Sequence, residues 1–458
     1  MSTSLTQGLG AWVADPSFQS VPVDTLDLLR NAFVDTVACL LSGRQEPVTQ
    51  AALAWVRERG SRPQVHVLMG AQRLSVADAA FVNAVSAHAL DYDDMALNGH
   101  PSVVLVPALL AVGEVLGSTD AQVLRAYLVG YEVWAELGSR EPDSLHNKGW
   151  HPTSVIGTVA AAAAVAHLYG VSASVASHAL GIAASQSAGL MGNFGSMTKP
   201  LHAGWAASHG IEAVRLAMLG VTASGHVLES PVGLLAALSP QGRADRSAWS
   251  APEVLRIYRN GLSIKKYPVC YAAHRVIDAV LQLRQRHGLR PEQVRRICPT
   301  LSHVTARVLH AHRPSSALEA KFSIEFACAM ALTEGAVGLP QVTDAMVQRA
   351  DIQSLMHQVE VRTVEPGCPI EAGFALHDQV LIELDSGAVL DSGPIRFAKG
   401  HAMEPLQPAE IEAKWLGCVA GGEDARLDLL AQLQTMGTQV QQSVCQWLSE
   451  VQMQGVPA

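Results

Sequence analysis

The sequence predicts a mostly α-helical protein, built from a large all-helical domain and a smaller mixed α/β unit. Three observations carry this. Apolar residues recur at helical spacing through most of the chain up to about residue 219. From Pro152 to Thr198 the chain is almost without charge, with His167 and His178 its only groups that titrate near neutral pH, a pattern that signals burial. Around Ile264 the texture changes to short strand-like runs, and helical patterns resume only after Lys399. With 458 residues the chain is too long for one core, so two domains are expected: a helical one from 1–265 and 401–458, and the α/β unit from 266–400.

Hydrophobic residues make up 49% of the chain and charged ones 16%, which excludes disorder and leaves room for an apolar subunit interface. A net charge of −9 argues against nucleic acid or an anionic membrane as partner. An anionic substrate would need local positive charge. The N-terminus has no basic region or apolar signal core, and the seven scattered cysteines have no Cys-x-x-Cys pair, so a cytoplasmic location is expected. The run 153–170 is long enough for a membrane, but its alanines, threonines and His167 make it a buried helix instead.

In chain order, Leu26, Leu29, Phe33, Val37 and Leu40 predict a helix over 24–42, capped by Asp24 and stopped at Gly43. A second helix covers 50–59, and Val65, Val67 and Leu68 suggest a small strand. The helix over 75–90 runs into Asp91-Tyr92-Asp93-Asp94. Acids at a helix C-terminus oppose its dipole, so this cluster wants a partner; a solvated turn, a metal site and a catalytic group all remain open. Asn98-Gly99-His100-Pro101 is a loop. Helices over 103–116 and 122–137 form an apolar pair.

The stretch 149–210 is the centre of the chain. His151 precedes an alanine-rich helix over 153–169, a second helix covers 172–188, and a loop over 192–198 leads to Lys199-Pro200-Leu201-His202. Pro200 suits the first position of a helix over 201–219, which places Lys199 at its positive end. That placement lowers the lysine's pKa and suits anion binding or proton transfer; an ordinary surface lysine is the other reading. After the basic connector 263–270 come a helix over 271–285, a strand over 294–302, and a helix over 320–334 whose Phe322, Phe326 and Met330 stripe reads as core. A strand over 359–364 and a hairpin over 374–397, turning at Asp385-Ser386-Gly387, complete the unit. Helices over 408–416 and 425–451 close the chain.

Five motifs stand in order: Asp91-Tyr92-Asp93-Asp94 with Gly99-His100-Pro101; Trp150-His151-Pro152-Thr153; Met197 to Gly204; Ile264-Lys265-Lys266-Tyr267-Pro268; and Ala320-Lys321-Phe322-Ser323. In these the chain resembles the MmgE/PrpD family nearly end to end. The resemblance implies a helical domain with an α/β lid, a homodimer, an active site in the cleft, and a small di- or tricarboxylate substrate. Members include 2-methylcitrate dehydratase, cis-aconitate decarboxylase and iminodisuccinate epimerase. It implies a pocket holding Asp91, His100, His151 and Lys199 as catalytic residues. Lys265, His202, Cys270 and Phe326 would contact substrate or support those that do. No metal or organic cofactor is implied. Lysines and a histidine would stabilise negative charge next to a carboxylate, and His100, His151 or Lys199 would move the proton. Asp91 would orient a histidine. Cys270 stands where the decarboxylases place a histidine, and Phe326 where they place a tyrosine. The Met197 to Gly204 stretch also differs from that of the 2-methylcitrate dehydratases and looks more like the epimerase branch, so epimerisation or dehydration is expected ahead of decarboxylation. The alternative is a catalytically reduced member that binds a carboxylate or a protein partner.

Overall fold

The computed structural model describes residues 4–15, 21–67, 72–419 and 423–437. Leu68, Cys445 and the expected helix beyond residue 437 lie outside these. Two large hydrophobic cores and two small apolar clusters, one around Phe194, Val308 and Phe322 and one around Tyr271 and Phe374, are found among the described residues. The first large core runs from Leu5 to Ile264 and resumes from Leu406 to Met436; the second runs from Tyr267 to Ile382.

The first core is helical because its segments carry both the spacing and the punctuation. Ser75 caps the helix Val76–His88 by accepting from Asp78 N–H, and every residue of that helix is buried. Pro101 precedes Ser102–Leu116, which stops at Gly117 in the left-handed conformation, φ +61°. A Thr119/Gln122 capping box opens Asp120–Ser139. The apolar run Pro152–Tyr169 breaks at Ile156 into Pro152–Val155 and Gly157–Tyr169, and the second piece is buried from Gly157 to Ala166.

The long helix Thr198–Met218 packs across both Val76–His88 and Gly157–Tyr169. Small residues let it come close. A Cβ on Gly204 would lie 2.6 Å from Val85 and 2.7 Å from Phe81, and one on Gly210 would lie 2.4 Å from the Ala161 Cβ. This crossing fixes where the first turn of the helix stands. Pro200 falls at the third helical position rather than the first, so Lys199 lies inside the helix.

The second core holds a four-stranded sheet in the order Arg362–Val364, Val294–Ser302, Gln379–Leu384, Val389–Asp391. The first pair is parallel and the others antiparallel, so the expected hairpin is present. The expected helix over 320–334 is divided. Ser323 accepts from Phe326 N–H and starts a new helix, Ile324–Glu334, after the short Ala317–Ala320. This break separates Lys321 and Phe322 from the core stripe that keeps Phe326.

The last helix of the first core, Pro408–Cys418, returns beneath the acidic turn. Lys414 Nζ donates to the carbonyls of Tyr92 at 2.7 Å and Lys265 at 2.9 Å, and pairs with Asp35 at 2.5 Å. The turn and the connector are thus clamped by one buried ammonium.

The close helix crossing makes a direct prediction. Gly210→Ala gains helix propensity but meets Ala161 and the Ala162 backbone, so it should destabilise by about 1–3 kcal/mol and lower Tm by several degrees. Gly192→Ala, with no neighbour within 4 Å, should leave Tm unchanged. Equal melting of the two variants by calorimetry would contradict the crossing.

Candidate active site

After Val76–His88 the chain turns sharply, and Asp91 sits in the left-handed region at φ +53°. A non-glycine residue there signals a conformation held by its surroundings. Asp91 Oδ1 accepts from Lys265 Nζ at 2.7 Å and from Lys199 Nζ at 2.9 Å, and the Asp91 carbonyl accepts from Lys265 Nζ at 2.8 Å. Burial alone would raise the Asp91 pKa, but Lys199 and Lys265 outweigh it and hold the carboxyl well below the usual range. Its Oδ2 is buried without a partner among the described residues. One carboxylate between two ammonium groups leaves a net positive charge on the cavity floor.

The other two acids of the turn have different tasks. Asp93 accepts from His88 Nδ1 at 3.0 Å and from His100 Nδ1 at 2.7 Å. Burial would raise its pKa as well, but the two histidines hold it well below the ordinary carboxylate range. Asp94 faces Ser102, and burial pushes its carboxyl well up. None of the three is a solvated surface group.

His100 Nδ1 also lies 2.8 Å from the Asp94 carbonyl. Two acceptors at Nδ1 fix the proton there, so Nε2 presents a lone pair, 3.8 Å from Asp91 Oδ1. Burial pushes the His100 pKa down against the pull of Asp93. His151 makes no side-chain cap to Pro152–Val155; its Nδ1 instead lies 3.0 Å from His202 Nδ1. Burial and then Lys199 push His151 well below its ordinary value, and burial pushes His202 to about 4.

These groups converge on a cleft between the two cores. Asp91, His100, His151, Lys199, Lys265 and Cys270 line it. The cleft also has apolar lining from Phe194, Val304, Val308, Phe322 and Phe374. Lys199 Nζ lies 5.3 Å from the Phe194 ring centre and 5.6 Å from that of Phe322. The Cys270 thiol is pushed up to about 11 by burial, so it stays protonated at neutral pH.

Two of the predicted residues stand elsewhere. His202 is 2% exposed and lies behind His151 rather than on the cleft wall. Phe326 is fully enclosed in the second core and reaches no part of the cleft. The break at Ser323 is the reason, since it leaves Phe322, one turn earlier, to face the cleft. Sequence reasoning missed His146, which lines the cleft 6.5 Å ring-to-ring from His151 and is pushed by burial to about 3. Its loop carried no signal. It also missed His88, which lay on a helical core face, and gave Lys321 no role. Lys321 crosses from the second unit to donate to the Ala89 carbonyl at 3.2 Å, and burial lowers it to about 8.

Ring nitrogens of His88, His100 and His151 lie within 4.8 Å of one another. Ligand atoms of His88, His100, Asp91 and Asp93 likewise lie within 4.8 Å of one another, so two carboxylates offset the ammonium groups of Lys199 and Lys265 there. The arrangement can bind carboxylates, supply a proton, and shield part of a ligand from water.

A family model for the MmgE/PrpD N-terminal domain matches residues 7–247, and one for the MmgE/PrpD C-terminal domain matches residues 267–434. The chain is 31% identical to the cis-aconitate decarboxylase of Homo sapiens over 359 residues, covering 75% of this chain and 72% of that protein. It is 30% identical to the Mus musculus cis-aconitate decarboxylase over 355 residues, with the same coverage of 75% and 72%. It is 26% identical to the cis-aconitate decarboxylase of Aspergillus terreus (strain NIH 2624 / FGSC A1156) over 384 residues, 78% of each.

The site's electrostatics predict two effects on stability. His88 and His146, held near 3, and His202, near 4, are all depressed below the unfolded value. Below about pH 6.5 the unfolded chain takes up protons that the folded one refuses, so stability falls by up to about 1.4 kcal/mol per pH unit for each histidine. Asp91 and Asp93 are also depressed, and their contribution is lost only below about pH 4. Asp94, pushed well up, and Asp120 and Asp378, raised to about 6 and about 7, act in the opposite sense over this range. The test is therefore a difference: the Tm of His146→Gln relative to the native protein should rise as pH falls from 6.5 to 5, and a constant difference would contradict a buried neutral His146. Asp91→Ala should destabilise by about 3–5 kcal/mol, because it leaves two buried ammonium groups facing each other. A native-like denaturation midpoint for that variant would show the bridge to be dispensable.

Proposed function

This chain belongs to the MmgE/PrpD family, and from that premise we propose that it decarboxylates a small unsaturated tricarboxylate of the cis-aconitate type. It is an enzyme of this family, acting by acid/base chemistry next to a carboxylate. The observation that carries the finer reading is the cleft's mixed lining: the Lys199–Asp91–Lys265 bridge stands in one cleft with Phe194, Phe322, Val304 and Val308. The bridge would bind carboxylates. The apolar lining would strip water from a further one, and its charge spreads into the carbon frame as carbon dioxide leaves, so apolar surroundings favour departure.

The reaction balances simply. The bond from carbon to the departing carboxylate breaks, and its electron pair becomes a new carbon–carbon double bond. The old π pair takes one proton at the adjacent carbon. Carbon dioxide leaves and one proton is consumed. His151 is the group we place as donor. His100 has its proton committed to Asp93 and the Asp94 carbonyl, so its Nε2 has none to give while neutral. Lys265 is held by two oxygens of Asp91, whereas Lys199 makes one such bond and keeps donors for the substrate.

The preference for epimerisation or dehydration rested on Cys270, Phe326 and the form of the Met197–Gly204 stretch. Phe326 lies outside the cleft, so its identity no longer bears on the substrate. Cys270 is in the cleft, where its protonated thiol is compatible with either chemistry. The names of the related proteins add weight to decarboxylation. A cytoplasmic homodimer remains part of this proposal.

Proton NMR in heavy water with cis-aconitate tests it. New vinylidene signals with one deuterium in the neighbouring methylene, together with released carbon dioxide, are expected. Hydration products, or deuterium entering without loss of a carboxylate, would overturn the decarboxylase reading. Lys199→Ala and His151→Ala should each lower kcat/KM by about 100- to 10,000-fold with the circular dichroism spectrum unchanged. Full activity in both would remove the site assignment.

A further inference from the structure

We propose that His202 is a positioning residue that sets and reverses the tautomer of His151, so that the pair passes a proton toward the cleft with both rings neutral. The inference deepens the decarboxylase reading and takes its direction of proton flow from it. The basis is the contact between the two Nδ1 atoms at 3.0 Å. Only one hydrogen fits between them. Either His202 donates, and His151 then carries its own proton on Nε2, or His151 donates and its Nε2 presents a lone pair. His151 lines the cleft and His202 lies behind it at 2% exposure, so the second ring faces the protein and not the substrate.

The contrast with His100 is informative. A carboxylate, Asp93, backs the Nδ1 of His100 and can only accept, which locks one tautomer. An imidazole backs His151 and can do either. The groups around His151 include Lys199, His88, His100, His146 and His202, with no carboxylate bonded to its Nδ1. A second cation beside Lys199 is therefore poorly tolerated, in keeping with the lowered affinity of both rings for an added proton.

The relay step balances as follows. A proton from water joins His202 Nε2. The His202 Nδ1 proton crosses to His151 Nδ1, and the His151 Nε2 proton goes to the substrate carbon as the carboxylate leaves. Each ring gains one proton and loses one, and the single proton consumed comes from solvent. Once product leaves, the reverse transfer, starting from water at His151 Nε2, restores the first tautomer.

The test uses the full-length enzyme and His202→Gln, which can hold one hydrogen bond to His151 but cannot relay through tautomers. With cis-aconitate as substrate, kcat should fall by at least about 100-fold while KM stays near the native value. The native enzyme should give a curved proton inventory in mixed light and heavy water, and the variant a straight one. Histidine ¹⁵N shifts in the ligand-free native protein should report a mixture of His151 tautomers that collapses to one in the variant. An unchanged kcat, a loss carried by KM alone, or a fall in kcat with the curvature intact would each overturn the relay. Should the native enzyme turn over no tricarboxylate, the reading of its reaction fails, and the ¹⁵N shifts then decide the relay alone: a single native tautomer overturns it.

Discussion

The bridge from Lys199 through Asp91 to Lys265 is the constraint on which the rest depends. Three charged groups, each at most 5% exposed, stand together at the edge of an apolar core. Their separate desolvation would be costly, and only mutual pairing makes it tolerable. The pairing draws from distant parts of the chain. Asp91 comes from the turn after Val76–His88, Lys199 from the first turn of Thr198–Met218, and Lys265 from the connector between the cores. The close helix crossing at Gly204 and Gly210 and the clamp by Lys414 hold these three pieces in register. An incoming carboxylate meets a floor already positive and already positioned, which is how preorganisation acts.

Histidine chemistry in the cleft follows from what stands behind each ring. Asp93 backs both His88 and His100 and fixes their protons at Nδ1. His151 is backed by another histidine, so its proton is not assigned by charge. Two buried imidazoles, His151 at 1% exposure and His100 at 7%, therefore differ in what they can give or take. Lys321, reaching across from the second unit to the Ala89 carbonyl, ties the same turn to the other side of the cleft. The site is thus shared between the two cores, and a change in their separation would move Lys199 relative to Phe322 and Phe374.

Much of this was legible in the sequence. The mostly helical character followed from spacing, and the change at Ile264 marked where the second core begins. The uncharged stretch 152–198 signalled burial, which holds from Pro152 to Ala166 but not beyond Val171, where most residues are half-buried or exposed, Leu190 and Met197 among them. A lysine and a histidine at its two ends pointed to a site. The acidic turn advertised a need for partners, because three acids at a helix end are unfavourable alone. The resemblance motifs named Asp91, His100, His151, Lys199 and Lys265 together, and all five line one cleft.

Other features belonged to tertiary structure alone. A repeat of four along a helix cannot reveal that Ser323 restarts the helix, so the sequence could not say that Phe322 faces the cleft while Phe326 is enclosed. His146 sits in a loop without periodicity, and only folding brings it beside His151. The three acids of the turn read alike in sequence; their different protonation is set by what lies across from each one. Spacing along the chain determines which residues share an element and which elements are buried. Partners separated by 108 or 174 positions, as Lys199 and Lys265 are from Asp91, are chosen by how helices cross, and that choice exists only in three dimensions.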